Sequence, residues 1–259
     1  MEFSKWHGLG NDFVLLDQCD GGARVGAERA RQLCDRHRGI GGDGVLTLLP
    51  SDRFDARLHI YNADGSEAAM CGNGARCVAA YLFAKLKRDE IQLETAAGVR
   101  VCTRENNGVR VAMGPAIVAD QRETLTVAGR TLDVRRVSIG NAHAVSFWDE
   151  PVADCAALLG PWVARAFDGG VNAEFARAVA NGWEVSVWER GAGLTEACGT
   201  GACATVAAAI AEGRAKVGVP QVVYLPGGAL TVEAVAGLSE IWMTGPAVHV
   251  FDGVIESIA

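Results

Sequence analysis

Long apolar runs are missing from this chain. None of its 259 residues belongs to an uninterrupted apolar stretch of about 18, so a membrane-spanning helix is not expected. Aromatic residues make up only 7%, no basic patch is interleaved with them, and the formal charge is -7. A nucleic-acid surface is therefore not expected. Histidine is scarce, with 5 copies, and no cysteine knuckle of zinc-ligand spacing occurs, so a zinc site is not expected. Residues 1–17 have no basic segment leading into an apolar core and a small-residue cleavage site. The expectation is a soluble cytoplasmic protein whose thiols are reduced.

Glycine, by contrast, is plentiful at 32 residues, without the three-residue period of collagen. Many tight turns or loops that approach a ligand closely follow from that number. The chain is 49% hydrophobic and 21% charged, the balance of an ordinary globular protein, and is long enough to bury a core without disulfide or metal support. Its eight cysteines are not needed as staples.

Short strand patterns recur throughout, among them Val45 to Leu49, Arg57 to Tyr61, Ile91 to Thr95, Val109 to Met113, Leu125 to Val127, Leu132 to Ile139, Ala144 to Trp148 and Trp183 to Trp188. Gly, Asn and Asp turns join many of them, which predicts antiparallel or mixed sheet rather than regular βαβ repetition. Helices are expected at Ala27 to Arg36, Gly74 to Leu86, Pro151 to Ala166 and Gly201 to Glu212. In the second and fourth, small apolar residues at helical spacing mark core helices.

Two segments are written twice. MCGNGARC, Met70 to Cys77, is echoed by ACGTGACA, Ala197 to Ala204, and LGNDFVLLD, Leu9 to Asp17, by IGNAHAVSFWD, Ile139 to Asp149. The first pair is offset by 127 residues between Cys71 and Cys198, the second by 130 between Gly10 and Gly140. Near-equal offsets in the same order predict two similar halves. The turn-rich stretch from Gly114 to Asp120 is the expected boundary between them.

In each half a cysteine precedes Gly-x-Gly and a helix start. Backbone N–H groups at such a place hold a carboxylate and favour negative charge, including that of a thiolate. Spacing alone leaves several uses open for Cys71 and Cys198: opposed acid–base groups, packed core thiols, thiol catalysis or a redox pair. Cys77 and Cys203, one turn into apolar helices, are expected to be packing residues. Taken singly, Gly-Asn is an ordinary turn, Asn62 in Asn-Ala-Asp-Gly is a turn former, and Glu189 and Arg190 are solvent-facing charges.

The ordered set of blocks resembles the diaminopimelate epimerase family almost end to end. It comprises WHGLGNDFVLLD (Trp6 to Asp17), YNADGSEAAMCGNGARC (Tyr61 to Cys77), GNAH (Gly140 to His143), WERGAG (Trp188 to Gly193), EACGTGACA (Glu196 to Ala204), LPGG (Leu225 to Gly228) and MTGPAVHVFDG (Met243 to Gly253). The resemblance implies an α/β (α+β) fold of two similar, pseudo-symmetric domains, each with mixed or antiparallel sheet wrapped around a central helix. The active site would lie in the cleft between them. It places the domains at residues 1–115 plus about 247–259, and 116–246. It further implies cofactor-independent interconversion of LL- and meso-2,6-diaminopimelate by two-base proton transfer, with Cys71 and Cys198 as the catalytic pair. A small diamino dicarboxylate is the partner implied, and a homodimer is compatible with it.

By the same resemblance the substrate-binding positions are Asn11, Asn62, Gly72, Asn73, Asn141, Asn172, Glu189, Arg190, Gly199 and Thr200. Arg190 is expected at the distal carboxylate, Glu189 at an ammonium group or as a tuner of thiol chemistry, and His143 as an orienting or tuning residue for the first cysteine. The chain departs from the family at Ala142, where proline is usual, and at Gly44, where some members carry glutamine. Two other readings stay open: a related racemase of another amino acid such as histidine or lysine, and a noncatalytic amino-acid-binding protein of the same fold.

Overall fold

The computed structural model describes residues 1–21 and 25–256. The elements run β1 (Glu2–Gly8), β2 (Asn11–Asp17), α1 (Ala27–Cys34), β3 (Gly44–Leu49), β4 (Ala56–Asn62), α2 (Gly72–Leu86), β5 (Glu90–Thr95), β6 (Gly98–Glu105), β7 (Gly108–Gly114), β8 (Ile117–Val127) and β9 (Arg130–Ser138). They continue with β10 (Ala142–Trp148), α3 (Ala153–Val163), β11 (Asn172–Val179), β12 (Gly182–Glu189), β13 (Gly193–Thr195), α4 (Gly199–Ala211), β14 (Gln221–Leu225), β15 (Gly228–Ala234), β16 (Ile241–Gly245) and β17 (Val248–Val254). The result is mixed α/β structure with repeated strand and helix units. The chain divides into two compact units, Met1–Val111 with Thr244–Ala259, and Ala112–Met243.

In the first unit β1 pairs antiparallel with both β17 and β2, and β2 then runs parallel to β3. The pairing continues antiparallel to β4, parallel to β5, and antiparallel through β6 to β7. The parallel steps follow from the helices: α1 connects β2 to β3 and α2 connects β4 to β5, as a parallel pair requires a crossover. One apolar cluster joins Val14, Leu16 and Val45 of the sheet to Ala30, Leu33 and Cys34 of α1. Helix α2 packs against β1, β2, β3, β5 and β6, and its Ala75, Cys77, Val78 and Ala79 have no exposed surface.

In the second unit β8 pairs with β9 and β9 with β10, both antiparallel, and β10 runs parallel to β11 across α3. From β11 the sheet passes antiparallel to β12, then parallel to β14 across α4, and antiparallel to β15. A cluster centred on Val134, Ala144, Ala156, Leu159 and Phe175 holds α3 to this sheet. Helix α4 packs against β8, β9, β10, β11, β12 and β15, and Ala202, Cys203, Ala204, Val206 and Ala207 are wholly buried.

Several expectations need correction. The two central helices begin at Gly72 and Gly199, two residues before the predicted starts, so each Gly-x-Gly is a first helical turn and not a preceding loop. The segment from Gly114 to Asp120, expected to be turn-rich, enters β8 at Ile117. The polar Asp120, Gln121 and Arg122 lie at a register shift between Val118 and Arg122, which bulges the strand without ending it. Strand β11 lacked any sequence signal because Asn172, Glu174 and Arg177 interrupt its apolar pattern, yet its first five residues are buried.

Candidate active site

Cys71 and Cys198 occupy equivalent structural positions. Each is the N-cap of its helix, with extended backbone, and each sulfur accepts the N–H of the residue three further on. The distances are 3.4 Å from Gly74 N to Cys71 Sγ and 3.3 Å from Gly201 N to Cys198 Sγ. Sulfur thus takes the part usually played by a Ser, Thr, Asp or Asn oxygen, at the end of a helix that favours negative charge. The close approach needs glycine on the helix side: a Cβ on Gly74 would stand 2.8 Å from Leu46 Cδ2. On Gly201 it would stand 3.0 Å from Glu174 Oε1 and 3.2 Å from Cys198 Sγ. All eight cysteines are thiols among the described residues, and Cys77 and Cys203 are fully buried in packing, as expected.

Around Cys71 the first unit builds a polar frame. The thiol donates to Asn11 Oδ1 at 3.9 Å, and the same oxygen accepts Asn73 Nδ2 at 3.1 Å. Asn73 Oδ1 accepts Arg76 Nη2 at 2.9 Å, and Arg76 Nε donates to the carbonyl of Pro246 at 3.1 Å. On its other side Asn11 Nδ2 donates to Asp43 Oδ2 at 2.8 Å, so both ends of this amide are engaged. Asp43 is paired with Arg36, which also forms a fork on Asp12, and Lys5 donates to Asp12 at 2.6 Å. The amide that meets the thiol is thereby fixed by a four-residue charge network.

Asn62 closes β4 with its side chain exposed and donating to Ser66 Oγ at 2.9 Å, within the turn that its sequence implies. The next residue ties this turn to the network, since Ala63 N donates to Asp43 O at 3.0 Å. Gly44, where the resemblance raised the expectation of a side chain in some family members, is closed to one: a Cβ would stand 2.6 Å from Tyr61 O.

Asp12 has a consequence for stability against pH. Burial opposes its ionisation, but hydrogen bonds from Arg36 and then Lys5 outweigh burial and hold the carboxyl well below its ordinary 3.8. A carboxyl lowered on folding stabilises fully above its unfolded value, and that contribution is lost as pH falls through the folded value. Urea midpoints of the wild type should therefore fall on acidification below about pH 4, and Asp12→Asn should flatten that fall. Parallel pH slopes for the two proteins would remove Asp12 from the account.

In the second unit the pleat explains the assembly. His143 of β10 pairs with Asn172 of β11, and alternation puts Glu174 on the same face as Asn172. Glu174 lies opposite Val187 of β12, which puts Glu189, two residues on, on that face as well. His143 and Glu174 are completely buried and meet at 2.7 Å between Nδ1 and Oε1. The other ring nitrogen, Nε2, is 2.8 Å from Asn141 Oδ1, and Asn141 Nδ2 donates to Thr200 Oγ1 at 3.3 Å. Thr200 Oγ1 is 3.5 Å from Cys198 Sγ, so His143 is linked through two side chains to the second thiol.

Burial pushes the Cys198 thiol well above its ordinary range, and the charges of Glu189 and Glu174 push it further. The Thr200 hydroxyl and Gly201 N–H oppose that rise without overcoming it, so the thiol holds its proton at neutral pH. Burial likewise raises the Glu189 carboxyl, against hydrogen bonds that include one from Thr195 at 2.6 Å. Asn172 is buried and its Oδ1 accepts the backbone N–H of Arg190 at 2.9 Å. The exposed Arg190 guanidinium donates to Gly169 O at 2.7 Å and flanks a groove of about 750 Å³ bordered by Phe167, Gly169, Trp188 and Gly193. Cys198 is not part of that groove's lining.

Sequence reasoning missed Glu174, Arg76, Asp12 and Asp43. A polar residue two positions from Asn172 in an otherwise apolar run, and an arginine in the first turn of an apolar helix, were the available signals. Among the described residues no group of three or more His, Cys, Asp or Glu side chains has the disposition to hold a metal. No described helix is long and apolar enough to cross a membrane.

The fold is that of a known class of solved structures. A hydroxyproline epimerase from Agrobacterium vitis superposes with a TM-score of 0.69 at 20% identity, over 98% of this chain and 91% of that one. Sequence carries the assignment further. The profile of the diaminopimelate epimerase family matches residues 3–119 and 135–250, leaving out the outer arms of the β8–β9 hairpin. The diaminopimelate epimerase of Desulfitobacterium hafniense is 40% identical over 282 residues, covering 98% of both chains. That of Carboxydothermus hydrogenoformans is 42% identical over 273 residues, again covering 98% of both. The chain belongs to the diaminopimelate epimerase family.

Proposed function

We propose that this protein is a cofactor-independent isomerase that interconverts LL- and meso-2,6-diaminopimelate, with Cys71 and Cys198 as its two acid–base groups. The observation that carries the reading is the repeated cap: two thiols, one in each unit, each under the N–H of the third residue of a central helix. Inverting a carbon requires that one group take the α-proton from one face and another return a proton to the opposite face. Cys198 rests as the donor, which makes Cys71 the base in the direction where Cys198 delivers the proton. The roles exchange in the reverse reaction.

Negative charge develops on the α-carboxylate as the proton leaves. The N-terminus of a helix favours negative charge, and the backbone N–H groups of Gly72 and Asn73, and of Gly199 and Thr200, are the donors we assign to that charge. Asn11, Asn62, Asn141 and Asn172 supply amide contacts, Glu189 faces an ammonium group, and Arg190 binds the distal carboxylate through its planar fork. Asn62 and Arg190 are exposed side chains, which suits contact with a ligand. His143 was expected to orient or tune the first cysteine; its contacts through Asn141 and Thr200 support a role at the second, Cys198.

The domains are residues 1–115 with 247–259 and residues 116–246, related by pseudo-symmetry; the bounds of the two compact units, at Val111 and Thr244, fall close to these. The support is the matching succession in each: a parallel step across one helix, an antiparallel pair, and a second parallel step across the helix that carries the cysteine. The chain works in the cytoplasm, where its thiols stay reduced. It forms a homodimer, for which the exposed apolar residues of β17, Val248, Val250, Phe251 and Val254, are the support. Combined Val250→Glu and Val254→Glu should shift the protein to monomer in sedimentation; a dimer unaffected by both places the interface elsewhere.

Purified, reduced protein should convert LL-diaminopimelate to the meso form and act little on single-carboxylate amino acids such as histidine and lysine, as read by chiral chromatography. Faster turnover of lysine or histidine would overturn the substrate assignment, and no turnover of any amino acid by folded protein would overturn the enzyme.

A further inference from the structure

Glu174 is the one carboxylate in the second unit that faces the buried thiol and has no role in the reading above. It has no exposed surface, and only one of its oxygens has a hydrogen-bond partner: Oε1 meets His143, while Oε2 is buried and unpartnered. A fold rarely keeps such an oxygen without a function for the charge. From Glu174 an unbroken line of contacts runs through His143, Asn141 and Thr200 to Cys198 Sγ. Glu174 Oε1 and Cys198 Sγ also border the same point in space, the place where a Gly201 side chain would go.

We propose that Glu174 is the positioning residue of this half-site: its carboxylate holds His143, and through His143, Asn141 and Thr200 it sets the orientation of the Cys198 thiol. The role rests on Cys198 being an acid–base group of the reaction. It is distinct from that of Glu189, which faces Cys198 from the neighbouring strand. The charge has a second effect. Cys198 is faced by Glu174 from β11, Glu189 from β12, and the Thr200 hydroxyl and Gly201 N–H from its own helix. Two carboxylates against one thiol keep the proton on sulfur, which suits a group that begins the cycle as the acid.

The test reads the thiol independently of the substrate. Alkylation of Cys198 by iodoacetamide in the full-length reduced protein, located by peptide mass spectrometry, is followed between about pH 7 and 11. Glu174→Gln retains the shape and an acceptor for His143 but removes the charge. The alkylation midpoint should fall by about one pH unit, and kcat for diaminopimelate by about tenfold, with KM within about twofold of wild type. Glu174→Asp keeps the charge and shortens the reach to His143, so the midpoint should stay and kcat should fall.

A folded Glu174→Gln protein with the wild-type midpoint, or a Glu174→Asp protein with the wild-type kcat, overturns the proposal. Should Glu174→Gln fail to fold, Thr200→Val cuts the same line at its partly exposed end. The midpoint should then rise, because the hydroxyl bond that favours thiolate is gone, and an unchanged midpoint would break the proposed line. If the wild type acts on a different amino acid, the alkylation results stand, so the substrate assignment and this proposal fail separately.

Discussion

Cys198→Ala should abolish epimerisation, lowering kcat/KM for LL-diaminopimelate by about 10³-fold or more, and Cys71→Ala should do the same. The size follows from the chemistry, since a missing acid or base leaves one face of the α-carbon with no proton carrier and water is a poor substitute. Loss of fold is not the cause. The thiol at each cap accepts one N–H, at 3.4 Å for Cys71 and 3.3 Å for Cys198, and removing a cap costs only about 1 kcal/mol. Chiral chromatography of the product and a thermal melt of the same sample separate the two effects. Either single variant turning over near the wild-type rate would refute the two-thiol mechanism.

Arg76→Ala should produce the largest loss of stability among single substitutions in the first unit. Arg76 has no exposed surface, and its guanidinium donates to Asn73 Oδ1 and to Pro246 O. Truncation leaves the buried Asn73 oxygen without this donor and opens a cavity, and a large-to-small change at a fully buried site costs about 3–5 kcal/mol. For a chain of this length that corresponds to a fall in melting temperature of about 10 °C. Activity should fall with it even below the melting range. Arg76 turns the Asn73 amide so that its nitrogen faces Asn11, and Asn11 meets the Cys71 thiol. Arg76→Met restores volume without hydrogen bonds and should recover part of the stability but little of the activity. A melting temperature within about 2 °C of wild type for Arg76→Ala would contradict this account of the first half-site.

How far the sequence speaks for the structure varies by element. Helices α2 and α4 were legible because small apolar residues at helical spacing admit little else, and the thiols stood out because the same block occurs twice. Their starts were not legible, because cysteine is not among the usual capping residues and a Gly-x-Gly run suggests a loop. Strand β11 was hidden by Asn172 and Glu174, which are polar for the sake of neighbours on β10 and β12 far away in sequence. Of strand β8 only the end, Leu125 to Val127, was legible, for the opposite reason: most of the strand is exposed, so no alternation marks the rest.

Among the candidate site residues, Asn11, Asn73, Asn141 and Thr200 contact the thiols or each other, which a turn-forming Gly-Asn pair does not announce. The charged frame of Lys5, Asp12, Arg36 and Asp43 was invisible because its members come from three separate segments, brought together by the antiparallel pairing of β1 with β2 and the parallel step from β2 to β3. Long-range pairing of this kind has no local signal. Asn62 shows the reverse case, since the turn expected from Asn-Ala-Asp-Gly is the structure it adopts.

The most direct test of the two-thiol mechanism is early conversion of LL-diaminopimelate in deuterium oxide, with substrate and product separated before label is measured. Two single-proton thiols deliver a solvent-derived deuteron to the new face and return the abstracted proton to the old one. The account predicts a meso product carrying one deuterium at the inverted α-carbon and remaining LL substrate that is almost unlabelled. Product that keeps the original α-hydrogen, or substrate that gains deuterium as fast as product forms, would show a single base serving both faces and would contradict it.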